Sequence, residues 1–162
     1  MRIGLMADTH DRVPAVANLV EKLAAKGISI VMHAGDFCSP FCLAPFHKAE
    51  MALLGVFGRN DGDRETLSAY AARGMGTEIY ESPHSFDVGG HSILLVHELN
   101  EVSERSVESH EFVIHGSSHI QVQKKVGNTL VINPGEACGW MHGKCTAAIL
   151  DLETGEVEVI TL

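Results

Sequence analysis

The chain has 162 residues, a length that fits one domain with a substantial interior core. Its composition, with 45% hydrophobic and 20% charged residues, excludes a disordered or low-complexity chain. The formal net charge of -9 disfavours non-specific binding to nucleic acid, because an acidic surface repels a phosphate backbone. We therefore expect a single domain over residues 1–162.

The amino terminus does not resemble a signal peptide, because Asp8 interrupts its first apolar stretch too early. No later apolar run approaches the length of a membrane span. These features predict a cytoplasmic protein without membrane attachment. The four cysteines lack CxxC spacing and are too few for a disulfide framework. We interpret them as buried or idle thiols: Cys38, Cys42, Cys138 and Cys145.

The first forty residues predict a βαβ unit. A short apolar strand covers residues 2–7, and a helix with apolar residues at helical spacing covers residues 14–23. Residues 28–32 form a second buried strand, parallel to the first. Asp8 and Asp36 therefore leave adjacent strands at the same edge of the sheet. Open α/β sheets bind their ligands at this edge.

The elements after residue 40 continue this pattern and then change to antiparallel hairpins. In chain order we predict a helix at 40–49, a strand at 52–57, a helix at 63–73, a hairpin of 84–88 with 92–96, a helix at 102–109, a strand at 112–114, and hairpins of 120–126 with 129–132 and of 147–152 with 157–162. Helical crossovers followed by hairpins indicate a mixed α/β sandwich.

Residue types that bind metals recur directly after the predicted strands. Asp8 and His10 stand two residues apart, so in extended backbone both side chains point to the same side. Asp36 follows a glycine that permits a tight turn, and its two oxygens can bridge two ions. His97 and His119 add imidazoles after two later segments. Carboxylates and imidazoles at converging strand ends are typical ligands of divalent metal ions that assist hydrolysis.

The remaining histidines lack ligand-like spacing. His33 and His115 lie beside ligand positions, but alternation along a strand turns neighbouring side chains away, so we interpret both as structural. The other five are interpreted as surface or internally satisfied residues, with His142 in a loop that can reach the cleft: His47, His84, His91, His110 and His142.

Together these motifs resemble those of the calcineurin-like metallophosphoesterases. They occur in the order Asp8-Thr9-His10, Gly35-Asp36, Gly58-Arg59-Asn60-Asp61, His97 and Gly116-Ser117-Ser118-His119. The size, the element order and a carboxy-terminal Ile132-Asn133-Pro134-Gly135 place the chain near the small YfcE-like phosphodiesterase branch, which is also similar to Vps29. The resemblance covers essentially the whole chain. It implies an α/β fold, a four-layer αββα sandwich of two mixed β-sheets around two metals.

The resemblance also implies ligands, residue by residue. The four positions of the first metal all carry suitable residues: Asp8, His10, Asp36 and His119. Asp36 and His97 match the second metal, but Arg59 replaces its usual asparagine and Ser117 replaces its usual imidazole. The second metal site is therefore expected to be degenerate.

Arg59 leaves two alternatives open. A guanidinium cannot bind a metal at neutral pH, because it stays protonated. In one alternative Arg59 is catalytic and offers a positive fork to a phosphate oxygen. In the other, Arg59 turns to solvent and the loop shifts by one residue, so that Asn60 binds the metal in its place. Glu98 also replaces the glycine that commonly follows His97 in the family.

We therefore predict a metal-dependent phosphoesterase that acts on phosphodiesters, with reduced or altered activity. The alternative is a catalytically inactive binding or scaffold protein of the same fold, and a purely structural ion is a third reading. The predicted cofactor is a divalent metal, with Mn favoured over Zn, Fe, Co or Ni and one tight ion favoured over two. The predicted partner is a small phosphorylated substrate; a protein partner and a homo-oligomer stay open.

Overall fold

The computed structural model describes residues 1–162 and contains two β-sheets built from eleven strands. In chain order the strands are β1 (Arg2–Met6), β2 (Ile30–His33), β3 (Ala52–Val56), β4 (Ile79–Tyr80), β5 (His84–Val88), β6 (His91–Val96), β7 (Phe112–His115), β8 (Val122–Val126), β9 (Thr129–Asn133), β10 (Thr146–Asp151) and β11 (Val157–Thr161). The first sheet has the order β11-β10-β1-β2-β3-β4, and the second has the order β5-β6-β7-β9-β8. Both sheets are mixed, because each joins parallel crossover strands to antiparallel hairpins.

Four α-helices connect the strands: α1 (Val13–Ala25), α2 (Ala44–Lys48), α3 (Arg64–Tyr70) and α4 (Glu104–Glu108). Helix α1 has Pro14 in its first turn, where the missing N–H costs nothing, and it buries Leu19 and Leu23 on one face. Burial of each of these leucine side chains contributes roughly 1.5–3 kcal/mol. None of the helices combines the length and the apolar character that crossing a bilayer requires.

Three hydrophobic clusters divide the molecule into four layers. One cluster packs α1 against the outer face of the first sheet, with Leu19 against strand residues such as Val31. A second lies between the sheets, where Leu5 of the first sheet and Ile114 of the second are both fully buried. A third covers the outer face of the second sheet and includes Val107 of α4. The layers are therefore helix, sheet, sheet and helix, as predicted.

Parallel pairing brings the carboxyl ends of the central strands to one edge. Met6 of β1 is level with His33 of β2, and His33 is level with Gly55 of β3. In the second sheet, Val96 of β6 is level with His115 of β7. The loops that follow these five strands therefore open at neighbouring points of the sandwich.

Most predicted elements are present, with local differences. The predicted helix at 40–49 divides into a 3-10 turn, Pro40–Leu43, and α2, in which Pro45 lacks the N–H that would continue the first turn. The predicted helix at 63–73 ends in a π-helical turn, Ala71–Met75. The short edge strand β4 was not predicted, because two residues carry no periodic signal.

Candidate metal centre

The loops after β1, β2, β3, β6 and β7 meet at one edge of the sandwich. Backbone hydrogen bonds tie them together: Asp8 N donates to the Gly35 carbonyl at 3.1 Å, and Gly116 N donates to the His97 carbonyl at 3.1 Å. The predicted site residues on these loops are Asp8, His10, Asp36, Arg59, Asn60, His97 and His119. All except Arg59 turn toward one cluster, which we call the candidate centre.

One part of the candidate centre lies around His119 and is called the His119 side. Asp8 Oδ1 lies 3.7 Å from His119 Nε2 and 4.0 Å from His10 Nε2. The two imidazole rings stack with their centroids 5.1 Å apart. The Asp8 carboxylate is fully buried; Ser117 N donates to Oδ1 at 3.2 Å, whereas Oδ2 has no hydrogen-bond partner.

The other part lies around His97 and is called the His97 side. Asp36 joins the two sides, because its Oδ2 lies 3.4 Å from His10 Nε2 and 3.4 Å from His97 Nε2. One ligand atom from each of Asp8, Asp36 and His97 falls within 4.8 Å of the others. A carboxylate between imidazoles of both sides is positioned to bridge two ions.

Fixed hydrogen bonds orient the two imidazoles that come from the second sheet. His97 Nδ1 lies 2.7 Å from the Ala34 carbonyl, which can only accept, so Nδ1 carries the proton. His119 Nδ1 lies 2.8 Å from Glu136 Oε2. In both rings this leaves Nε2 facing the candidate centre, which is the arrangement found around metal-binding histidines.

Glu136 was not predicted from the sequence. Only 1% of it is exposed, and it accepts hydrogen bonds from Met141 N at 3.0 Å and His142 N at 2.6 Å as well as facing His119. Burial raises the pKa of Glu136, but these hydrogen bonds outweigh it and lower the pKa to about 2. The available signal was one acid in the small and apolar stretch after Pro134, but no motif singled it out.

The donor atoms of the candidate centre fit a divalent ion. Asp8 Oδ2, His10 Nε2 and His97 Nε2 are buried and have no hydrogen-bond partner. An unpaired buried polar atom is costly, so three of them around one point indicate that a further group completes their coordination. Carboxylate oxygen with imidazole nitrogen is the donor set of transition-metal ions such as Mn²⁺ and Zn²⁺.

The electrostatics of the centre favour positive charge beside Asp36. Burial raises the pKa of Asp8 to about 6. Burial raises the pKa of Asp36, but the His97 imidazole 3.4 Å away and the hydrogen bonds from Asn60 outweigh it and hold the pKa well below the usual range. For His97, burial lowers the pKa, whereas the neighbouring Asp36 carboxylate and the Ala34 carbonyl raise it to about 9. A cation therefore finds an ionised, buried carboxylate at the junction of the two sides.

The loops of the candidate centre hold strained backbone. Eight non-glycine residues have a positive φ, and seven of them lie in these loops: Asp8, His10, Asp11, Asp36, Cys38, Ser117 and His119. Left-handed backbone at such residues costs about 1–3 kcal/mol each and persists where surrounding contacts enforce it. Concentration of this strain at one point is typical of a functional site.

The neighbouring residues Arg59 and Asn60 have different partners in the structure. Asn60 N donates to Asp36 Oδ1, and Asn60 Nδ2 donates to Asp36 Oδ2, each at 2.8 Å. The Arg59 side chain is 70% exposed, and its Nε lies 2.7 Å from Glu98 Oε1. Asn60 thus contacts the Asp36 carboxylate, while Arg59 lies at the rim. Metal binding by Asn60 and catalysis by Arg59 stay predictions.

Asp61 fixes the loop that carries Asn60. Its Oδ2 accepts from Asp36 N at 3.0 Å and from Gly58 N at 2.7 Å, and its Oδ1 accepts from Cys38 N at 2.7 Å. A Cβ at Gly58 would overlap Asp36 Oδ1, so only glycine permits this approach. The Gly-x-x-Asp part of the motif therefore holds the loop that carries Asp36 in place.

Two cysteines lie against the imidazoles. Cys138 Sγ shares a 4.8 Å cluster with one ring nitrogen each of His10 and His119, and Cys38 Sγ lies 3.5 Å from His10 Nδ1. Burial raises the pKa of each thiol to about 12, so both stay protonated at neutral pH and are weak donors. The Cys138 thiol instead donates to Glu136 Oε2 at 3.4 Å.

The other histidines near the centre have separate environments. His33 is fully buried and stacks on Phe37 with centroids 3.8 Å apart. His115 is buried beside Asn133, with 3.4 Å between its Nδ1 and the Asn133 Nδ2. Neither belongs to the clusters of candidate ligand atoms, whereas exposed His142 lines a cleft that begins at His119.

Comparison with known proteins identifies relatives over the whole length. The calcineurin-like phosphoesterase superfamily domain matches residues 1–155. The phosphodiesterase MJ0936 of Methanocaldococcus jannaschii is 33% identical over 165 residues, which cover 100% of this chain and 99% of that protein. A solved structure described as a novel archaeal phosphodiesterase is also 33% identical and has a TM-score of 0.93. The match covers 100% of this chain and 100% of that chain.

More distant structures share the fold. YfcE, a phosphoesterase from E. coli, has a TM-score of 0.71 at 14% identity, covering 99% of this chain and 98% of that one. Vps29 from Entamoeba histolytica, solved with zinc, has a TM-score of 0.65 at 16% identity, and the match covers 100% of this chain and 98% of that one. The predicted αββα sandwich of the metallophosphoesterase kind is thus confirmed.

Proposed function

This chain belongs to the calcineurin-like phosphoesterase superfamily, and we propose that it is a metal-dependent phosphodiesterase. The observation that carries the proposal is the convergence of three buried, unpartnered donor atoms: Asp8 Oδ2, His10 Nε2 and His97 Nε2. In a family of phosphoesterases such a cluster suits the ions that assist hydrolysis of a phosphate ester. The archaeal relative named a phosphodiesterase supports a diester as the substrate class.

We assign ligands to two positions. The first position, on the His119 side, has four ligands: Asp8, His10, Asp36 and His119. The second, on the His97 side, shares Asp36 and adds His97 and Asn60. When bound, a divalent ion supplies Lewis acidity toward a phosphoryl oxygen and lowers the pKa of water. Because the first position has the fuller ligand set, we propose one tight ion, with manganese favoured.

The protein groups contribute orientation and charge. The Ala34 carbonyl and Glu136 lock the rings of His97 and His119, so that neither imidazole must reorganise during the reaction. Arg59 supplies positive charge at the edge of the candidate centre. There a phosphate oxygen competes with the Glu98 carboxylate for the N–H donors of the guanidinium group. In this proposal Arg59 stabilises negative charge that grows on the phosphate in the transition state.

A second candidate function is a binding protein that keeps the fold and one ion. Ser117 favours this alternative, because a serine hydroxyl is a poor substitute for an imidazole ligand. Its backbone N–H still donates to Asp8, so the loop keeps its shape without supplying a side-chain ligand. The retained buried donors favour the enzyme, since a scaffold has little use for so many of them.

Hydrolysis of a chromogenic phosphodiester in manganese tests the proposal. We expect a weak but measurable rate that a chelator abolishes and that His10→Ala abolishes. Turnover that survives both treatments would indicate another mechanism. No hydrolysis across a panel of phosphomonoesters and diesters, with one ion bound, would favour the binding protein. Anomalous metal peaks in manganese-soaked crystals count the ions: one beside Asp8 supports a single tight position, and two equally occupied peaks contradict it.

A further inference from the structure

A cleft begins at the outer side of His119 and extends along the sandwich. Its volume is about 460 Å³, which falls in the range of small-molecule sites. Ile120 is the one hydrophobic residue among those that line it. The other residues that line it are polar in type, among them Gln121 and Thr146, although carbon atoms of these side chains form much of the exposed surface.

The cleft shares two residues with the candidate centre. His119 and Glu136 line it, and these are the imidazole and the carboxylate joined at 2.8 Å. The loop on the far wall is held by the same carboxylate, because Met141 N and His142 N both donate to Glu136. One connected set of hydrogen bonds thus joins the wall of the cleft to the candidate centre.

An ammonium and an imidazole lie on the far wall without a partner. Lys144 and His142 line the cleft, both are exposed, and neither takes part in an ion pair within 4.0 Å or in a side-chain hydrogen bond. The Lys144 ammonium attracts anions to the cleft, and the His142 ring offers a further hydrogen-bond donor beside it.

We propose that this cleft binds the ester group of the substrate, and that this group carries a second phosphate, which Lys144 and His142 hold. The inference rests on the proposed phosphodiesterase function and adds the substrate class: phosphodiesters with a terminal phosphomonoester. A phosphomonoester carries nearly two negative charges, which match two neighbouring donors better than a carboxylate does. The scissile phosphate lies at the candidate centre and the terminal phosphate lies at Lys144.

Two dithymidine phosphodiesters, one with a 5′-phosphate and one without, test the substrate class in manganese. We expect the phosphorylated dinucleotide to have a KM roughly tenfold lower, as for a hydrogen bond between charged groups. Lys144→Gln should remove most of this preference, and Lys144→Arg should keep it. Lys125→Gln, an exposed lysine on β8 away from the cleft, is the matched control. Equal KM values for both dinucleotides in the parent protein overturn the proposal.

A binding measurement separates this inference from the proposed function. Calorimetry on the manganese-loaded protein compares thymidine 3′,5′-bisphosphate with thymidine 5′-monophosphate, neither of which requires turnover. Tighter binding of the bisphosphate that Lys144→Gln abolishes supports the cleft even if no diester is hydrolysed. Equal binding of the two nucleotides, or an unchanged preference in Lys144→Gln, overturns the cleft even if hydrolysis is observed.

Discussion

The His119 side and the His97 side of the candidate centre are built from the same kinds of loop but differ in what faces the ion. On the His119 side, Asp8, His10 and His119 converge with no lysine or arginine among them. On the His97 side there is one imidazole, Asn60 is engaged with Asp36, and Arg59 lies at the rim. Hydrogen bonds to the backbone thus hold the loops on both sides, while the ligand set that we propose is fuller on the His119 side.

From this difference we infer that backbone contacts set the shape of these loops more than the candidate ligand side chains do. Asp61 and Gly58 hold the loop of the His97 side by backbone contacts, so the loop keeps its form whichever residue occupies position 59. Ser117 likewise keeps its backbone bond to Asp8. We therefore expect that side chains at positions 59 and 117 can be exchanged without disturbing the fold.

The largest effect is expected from Asp36→Ala, because this carboxylate contacts both sides. Loss of a residue that only orients a ligand costs about 10–100-fold in metal affinity, so loss of the bridging ligand itself should cost more than about 100-fold. His97→Ala should cost less, since it affects one side. Calorimetric titration with manganese measures both affinities, and equal losses would contradict the assignment of Asp36 to both positions.

Glu136→Gln tests how far the His119 side depends on the carboxylate behind its imidazole. We expect metal affinity to fall about 10–100-fold, because Glu136 fixes the ring and the tautomer of His119. Glu111→Gln is the matched control: Glu111 pairs with His91 at 2.9 Å, far from the candidate centre in an exposed position. A similar loss in both variants would show that the effect is a general one on folding.

Two substitutions that add ligands to the His97 side test whether it can bind an ion as the His119 side does. Arg59→Asn restores a neutral oxygen ligand and Ser117→His restores an imidazole, and each alone leaves an incomplete set. We expect the double variant to bind a second ion with a coupling of about 0.5–3 kcal/mol beyond the sum of the single changes. A folded double variant that binds one ion would place Arg59 and Ser117 outside the second position.

The smallest effect is expected from Arg59→Ala on stability. The ion pair with Glu98 is exposed at the arginine, and such pairs contribute about 0–1 kcal/mol to the free energy of unfolding. Its effect on hydrolysis should be larger than its effect on metal affinity, because the proposed role is in the transition state. Denaturant unfolding, metal titration and kcat/KM together check this, and a parallel fall in affinity and rate would argue for a role in metal binding.

The sequence by itself determined the layers and most of the centre. Alternation of crossover helices and hairpins predicted a mixed α/β sandwich, because hydrophobic periodicity is a local property of the chain. The resemblance to the metallophosphoesterases added the four layers and the two mixed sheets. Asp8, Asp36 and His119 were predicted from their positions after strands, since parallel strands bring their carboxyl ends together whatever the details of packing.

Only the tertiary structure decided which neighbour of a ligand faces inward. Asn60 rather than Arg59 contacts Asp36 because Asp61 turns the loop through hydrogen bonds to Asp36 and Cys38, which lie 25 and 23 positions away in sequence. Glu136 was found only in the structure for the same reason: its partner His119 lies 17 residues earlier and shares no motif with it. Such contacts depend on side-chain direction at left-handed backbone, where no periodic rule applies, and packing between separate loops sets them.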